Sequence, residues 1–263
     1  MDKILAIANQ KGGVGKTTTS VNLAASLAAT KRRVLLIDLD PQGNATMGSG
    51  ADKHEMENGV YEVLTRQCTV DQAIVTNLQA GYHLIGANGD LVAAEVELMN
   101  AIGRELRLKQ ALAPVLDRYD FIIIDCAPSL NMLTVNGLVA ADGVIIPMQC
   151  EYFALEGLAA LMDTIDQVKQ TVNPNLRVTG ILRTMFDPRN TLAMDVSAEL
   201  ETHFPDRLFD TIIPRNVRLA EAPAHGMPVL MYDKASRGAM SYLTLAAELL
   251  RRQDSPREAA ATA

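Results

Sequence analysis

The sequence predicts an α/β protein, a doubly wound and mostly parallel sheet with helices on both faces. Three observations lead there. Short β-branched runs that are apolar on nearly every residue alternate with helical patterns along the chain, and strands of that kind belong in a parallel sheet covered on both sides. A glycine-rich run, Lys11-Gly12-Gly13-Val14-Gly15-Lys16-Thr17, joins the first apolar run to the first helical one. The polar motifs follow the apolar runs, at what would be the carboxyl ends of the strands, where open α/β sheets bind ligands.

Taken in order, the candidate strands are Ile4–Asn9, Val34–Asp38, His83–Gly86, Phe121–Asp125, Val144–Pro147, Val178–Arg183 and Asp210–Ile213. Helical patterns lie between them, near residues 16–29, 93–117, 130–140, 154–172, 191–203 and 237–252. Right-handed crossovers of such units wind the sheet in both directions. One domain over residues 1–252 fits the length of 263 residues, and Gln253–Ala263, with Pro256 and a run of alanines, reads as a frayed tail. There is no internal repeat.

Composition excludes several classes. The longest apolar runs, Phe121–Ile124 and Gly143–Ile146, are far too short to span a bilayer. Cys68, Cys126 and Cys150 are few, odd in number and widely spaced, which fits buried thiols in a reducing cytoplasm and no disulfide framework. The glycine-rich run begins so early that no secretory leader is expected ahead of it. The formal net charge of −7 argues against nucleic acid as a partner of the whole surface, but a local basic patch is compatible with it.

The glycine-rich run has the strand–loop–helix setting of a phosphate-binding loop. Its glycines let successive N–H groups turn toward phosphate oxygens, and the helix that follows adds a positive end. Gly12, Gly13, Val14, Gly15, Lys16, Thr17 and Thr18 form the expected nucleotide-binding set. Lys16 would reach the β- and γ-phosphates and the Thr17 hydroxyl would ligate Mg²⁺. The usual pattern wants a glycine where this chain has Gln10, and Lys11 is an extra cation. After the second strand, Asp38 and Asp40 stand two apart, able to approach a metal and its water shell, and Pro41-Gln42-Gly43-Asn44 suggests a mobile loop. The fourth strand ends in Asp125, which would hold Mg²⁺ through water, and Cys126-Ala127-Pro128-Ser129 makes a second candidate switch loop.

With these residues in view the chain resembles the ParA/Soj chromosome- and plasmid-partitioning ATPases, P-loop NTPases of the deviant Walker A type. MinD and the nitrogenase iron protein belong to the same larger group. Lys11–Thr17, Asp38–Thr46, Asp125–Leu130, Gln149–Gly157 and Ile213–Pro228 carry the resemblance, which runs from Ile4 to about Arg252. It implies that Lys11 crosses a dimer interface to the phosphates on the other subunit, that Asp40 positions the attacking water, and that Asp125 lies in the Mg²⁺ shell. It places Met185, Pro214 and Asn216 at adenine. It further implies an ATP-dependent homodimer, non-specific double-stranded DNA as a partner, a ParB-type protein that stimulates slow hydrolysis, and a cytoplasmic, nucleoid-associated location. Arg189 and Arg218 match the family's non-specific DNA contacts, and Lys234 and Arg237 would join them. From Arg207 to Arg237 there are five Lys/Arg against three Asp/Glu, a local reversal of the global sign.

Other readings make distinct demands. A MinD-like membrane ATPase would use the stripe Tyr242, Leu243, Leu245, Ala246, Leu249 and Leu250 as an amphipathic anchor beside Arg251 and Arg252. An iron–sulfur relative needs paired cysteines at a subunit interface. A synthetase needs a pocket for an organic substrate, and a related ATPase could position a protein cargo.

Overall fold

The computed structural model describes residues 2–254. Its strands are β1 (Ile4–Ile7), β2 (Val34–Leu39), β3 (Ile74–Val75), β4 (His83–Ile85), β5 (Phe121–Cys126), β6 (Gly143–Gln149) and β7 (Arg177–Thr184). They form one sheet in the order β3-β4-β2-β5-β1-β6-β7. Every neighbouring pair is parallel except β3 with β4. The helices are α1 (Lys16–Ala29), α2 (Asn44–Gly48), α3 (Val60–Leu64), α4 (Val70–Ala73), α5 (Leu91–Met99), α6 (Arg107–Leu112), α7 (Met132–Ala140), α8 (Ala154–Thr171), α9 (Thr191–His203), α10 (Val217–Glu221), α11 (Val229–Tyr232) and α12 (Arg237–Asp254).

Side chains alternate across the sheet and build two cores. Ala6, Leu35, Ile37, Ile122 and Ile124 face the layer that includes α5 to α9. Leu5, Ile7, Leu36 and Ile123 face α1 and α12. That period-two split of all-apolar strands requires helices on both faces, as the sequence predicts. On α12 the apolar stripe is spent inside: Tyr242, Leu245, Ala246 and Leu249 are buried in the core they share with Leu23 and Leu27 of α1.

The structure departs from expectation in identifiable places. Asp210–Ile213 is no strand, although Phe209 and Ile213 donate to the Ile181 and Arg183 carbonyls of β7 at 3.0 and 2.9 Å. Between them the N–H groups of Asp210 and Thr211 are both taken by the buried Glu248 carboxylate at 2.9 Å, so no ladder forms. The seventh strand is instead β3, two residues long, which no periodicity could reveal. The expected helix over 93–117 is broken: α5 ends at Met99, Gly103 adopts φ 64°, and α6 is flanked by short 3-10 turns, the second carrying Pro114. Asn136 stabilises the break, donating to the Arg104 carbonyl at 2.9 Å and accepting from the Leu108 N–H at 3.1 Å. Gln253 and Asp254, assigned to the tail, continue α12, and the remainder of that expected tail, 255–263, lies outside the described residues.

Candidate nucleotide site

Between β1 and α1 the backbone turns on Gly13 at φ 74° and Gly15 at φ 89°, left-handed conformations that a β-carbon would strain. The Val14 carbonyl on this turn accepts from the Thr184 hydroxyl at the end of β7, 2.7 Å away. Lys16, the first residue of α1, is buried, and its Nζ donates to the Lys11 carbonyl at 2.9 Å. Burial lowers its pKa, while Asp125, Cys126 and Asp40 oppose that shift.

Two carboxylates lie under the loop in register on adjacent strands, Asp38 on β2 and Asp125 on β5. Asp125 is fully buried and accepts from the Thr17 and Ser20 hydroxyls, each at 2.8 Å. Burial, then the charge of Asp38, drives its pKa well above the ordinary carboxylate range, and burial raises Asp38 as well. Asp38 is fully engaged within its own loop. It accepts from the Asp40 N–H at 3.1 Å and from both the N–H and the hydroxyl of Thr46 at 2.8 Å. The expected pair of carboxylates approaching a metal therefore divides: Asp38 shapes the loop, and Asp40 is left facing the cavity.

That cavity holds about 690 Å³, and it gathers Gly12, Gly13, Gly15, Lys16, Thr17, Thr18, Asp40, Met185, Pro214 and Asn216. Its far wall is pinned by the Phe186 N–H donating to the Ile213 carbonyl at 3.1 Å, which holds Met185 at φ 48°. A residue with a side chain pays about 1 kcal/mol or more for that conformation. Tyr242 of α12 closes another side, its hydroxyl 3.1 Å from that of Thr19. Val14 does not line the cavity: its side chain is buried and its carbonyl is taken by Thr184.

A family model described as an AAA domain matches residues 2–178. The sporulation initiation inhibitor protein Soj of Bacillus subtilis is 52% identical over 95% of this chain and 98% of its own. The chromosome partitioning protein ParA of Myxococcus xanthus is 50% identical over 97% and 90%.

The chain belongs to the ParA/Soj family of ATPases.

Among solved structures, one described as cobyrinic acid a,c-diamide synthase of Mycobacterium smegmatis, with a bound ATP analogue and magnesium, superposes with a TM-score of 0.86. It is 40% identical, with 98% of each chain covered. Against this family background, the position of Lys11 is informative. It does not line the cavity; it is exposed at the outer end of the loop and ion-paired with Glu151. Sequence reasoning passed over Ser20, Thr184, Arg215 and Tyr242. Ser20 sits one helical turn after Lys16, a spacing that marks it, whereas Thr184 and Tyr242 come from distant elements and carry no local signal.

The four basic residues expected at DNA divide in this ParA/Soj-family chain. The Arg189 guanidinium donates two hydrogen bonds to Asp187, at 2.9 and 2.7 Å, and its backbone N–H a third at 3.0 Å. Arg218 donates to Glu221 at 2.7 Å and lies 3.3 Å from Asp233. Lys234 and Arg237 are exposed, with no ion pair among the described residues. Cys126 and Cys150 are buried and Cys68 is half-buried, so the described thiols offer no exposed pair for a shared cluster.

Proposed function

We propose that this chain is a partitioning ATPase that binds ATP with Mg²⁺, closes as a nucleotide-sandwich dimer and then holds DNA without sequence preference. The observation that carries the reading is the cavity in which Lys16, Thr17 and Asp40 meet over the buried Asp125. Full-length identity to Soj and ParA supports the partitioning role.

The donor set fits magnesium: a hydroxyl on Thr17, hydrogen-bonded to a buried carboxylate that lacks a cationic partner among its hydrogen bonds. Thr17 would hold the ion directly and Asp125 through water, and the ion would supply neutralising charge on the phosphates. Lys16 neutralises the β- and γ-phosphates. Asp40, at the mouth of the loop that Asp38 holds in shape, orients the attacking water. Met185, Pro214 and Asn216 line the base side. Lys11, displaced from Glu151, reaches the phosphates of the second subunit. A second copy doubles a patch made of Arg189, Arg218, Lys234 and Arg237, so that dimerisation raises salt-sensitive DNA affinity. A ParB-type protein accelerates the slow hydrolysis, and the working location is the nucleoid.

Among the described residues no helix is long and apolar enough to cross a membrane. Burial of the α12 stripe weighs against the MinD-like anchor. The synthetase name of one neighbour raises a second reading, but the higher identity to Soj and ParA favours partitioning.

The test is DNA mobility shift with the Asp40→Ala protein at low and high salt, with ATP, ADP or neither. Binding seen only with ATP, equal on unrelated sequences and weakened by salt, is the expected result. An ATP-dependent dimer that ignores DNA would move the partner to a protein cargo or a membrane.

A further inference from the structure

A cleft of about 490 Å³ lies where the end of α3, the start of α4, α6 and the 3-10 turn at Ala113–Arg118 meet, and it shares no lining residue with the nucleotide cavity. Its size falls among small-molecule pockets, roughly 300–1,000 Å³. Two arginines line it, Arg66 and Arg107, in a chain whose formal net charge is −7. The Nε of Arg107 is buried without a hydrogen-bond partner, and among the described residues no acid pairs with this guanidinium. Arg66 closes α3 at φ 64°, a conformation that glycine adopts more readily. Its guanidinium donates to the Gln110 side-chain carbonyl at 3.0 Å, a neutral partner that orients the fork without cancelling its charge. Asp71 is the one acid among the described lining residues, and Arg118 already holds it. Val63, Val70 and Val115, all buried, supply an apolar floor.

We propose that this cleft binds a small organic anion, its carboxylate or phosphate head on Arg66 and Arg107 and its apolar body on the valines. Guanidinium forks suit either head, since both oxyanions accept paired N–H donors. A buried donor without an acceptor costs free energy, and an oxyanion seated on the Arg107 guanidinium removes that cost. The two kinds of lining select the ligand together. Inorganic phosphate would leave the valines uncovered, and an uncharged apolar molecule would leave both arginines unmatched. A DNA backbone likewise offers nothing to an apolar floor. None of these residues belongs to the nucleotide site, so the proposal goes beyond the ATPase reading and does not depend on it.

The experiment is NMR on the nucleotide-free full chain labelled at valine methyls. The probes are benzoate, phenyl phosphate, benzyl alcohol, benzylammonium and inorganic phosphate. Benzoate or phenyl phosphate is expected to move the Val63, Val70 and Val115 signals together, leaving Val178 of β7 and Val229 of α11 in place. A Kd of about 1–10 mM is the scale for so small a ligand, and the tighter of the two names the head group. Arg107→Gln should weaken that binding roughly tenfold or more, with the other methyl signals unchanged as the check on folding. Arg66→Gln, at an exposed position, should weaken it as well and provides a second variant. No saturable shift with either organic anion, or shifts scattered over the chain, would overturn the proposal. So would an equal response to benzyl alcohol, benzylammonium or inorganic phosphate, or full binding by both variants.

Discussion

At the scale of single residues, the buried pair Asp38 and Asp125 defines the electrostatics of the site. Both pKa values are raised, chiefly by burial. The folded chain thus holds protons that the unfolded chain has released, and the nucleotide-free fold loses stability as pH rises through the pair's range. A cation at Thr17 reverses that balance, so Mg²⁺–ADP binding should release protons at about pH 6 and stop doing so once the pair is ionised. Calorimetry in two buffers of unlike ionisation heat reads this directly; identical heats in both would refute it, and Asp125→Asn should abolish the release. Lys16→Ala should weaken ATP binding by roughly tenfold to a hundredfold, the scale of a lost charge-assisted contact. Unchanged affinity in a fluorescent-nucleotide titration would remove Lys16 from the phosphates. Much of this site was legible as residue type and spacing, because a phosphate loop works through adjacent backbone groups. The division of labour between Asp38 and Asp40 was not, since it depends on Thr46 folding back onto Asp38.

At the scale of elements, Glu248 of α12 decides the path of the chain after α9. Burial opposes its ionisation, but hydrogen bonds from Thr211 and Asp210, with Arg252 nearby, outweigh burial and lower its pKa. A lowered carboxylate contributes stability above the unfolded pKa, and that contribution disappears as pH falls through the folded value. Glu248→Gln should cost about 1–3 kcal/mol at neutral pH in urea unfolding, with the difference from the parent chain shrinking in acid. A constant difference across pH would show that the charge is irrelevant. The packing of α12 on α1 sets a second expectation. Leu245 is fully buried there, so Leu245→Ala should lose about 2–5 kcal/mol. A loss under half a kilocalorie per mole, by the same measurement, would mean the helix is not docked in solution.

At the scale of the whole molecule, the sheet brings the carboxyl ends of β1, β2, β5 and β7 to one edge, and the site is assembled from all of them. Lys11 stands outside that assembly, held by Glu151 in an exposed pair that is worth at most about 1 kcal/mol. The proposed sandwich dimer would exchange this weak contact for a phosphate on a second subunit. Lys11→Ala should therefore bind ATP and remain monomeric in light scattering, while the parent chain becomes dimeric; a dimeric Lys11→Ala protein with ATP would refute the sandwich role. Arg218→Glu should leave ATP-driven dimerisation intact and abolish DNA retention. A variant that still shifts DNA with ATP would place the contact elsewhere.

Features that follow from the order of residues alone are local or periodic. All-apolar strand runs dictated a sheet covered on both faces, and Gly13, Gly15, Lys16 and Thr17 dictated a phosphate loop, because these effects act between neighbours in the chain. Tertiary structure alone decided which distant groups compete for the same hydrogen bonds. Glu248 denied Asp210–Ile213 a ladder, Asn136 stabilised a broken helix, and Thr184 and Tyr242 entered the nucleotide site from afar. Acids tied down Arg189 and Arg218. Buried donors and acceptors must find partners wherever the fold supplies them, and no window along the chain contains that choice.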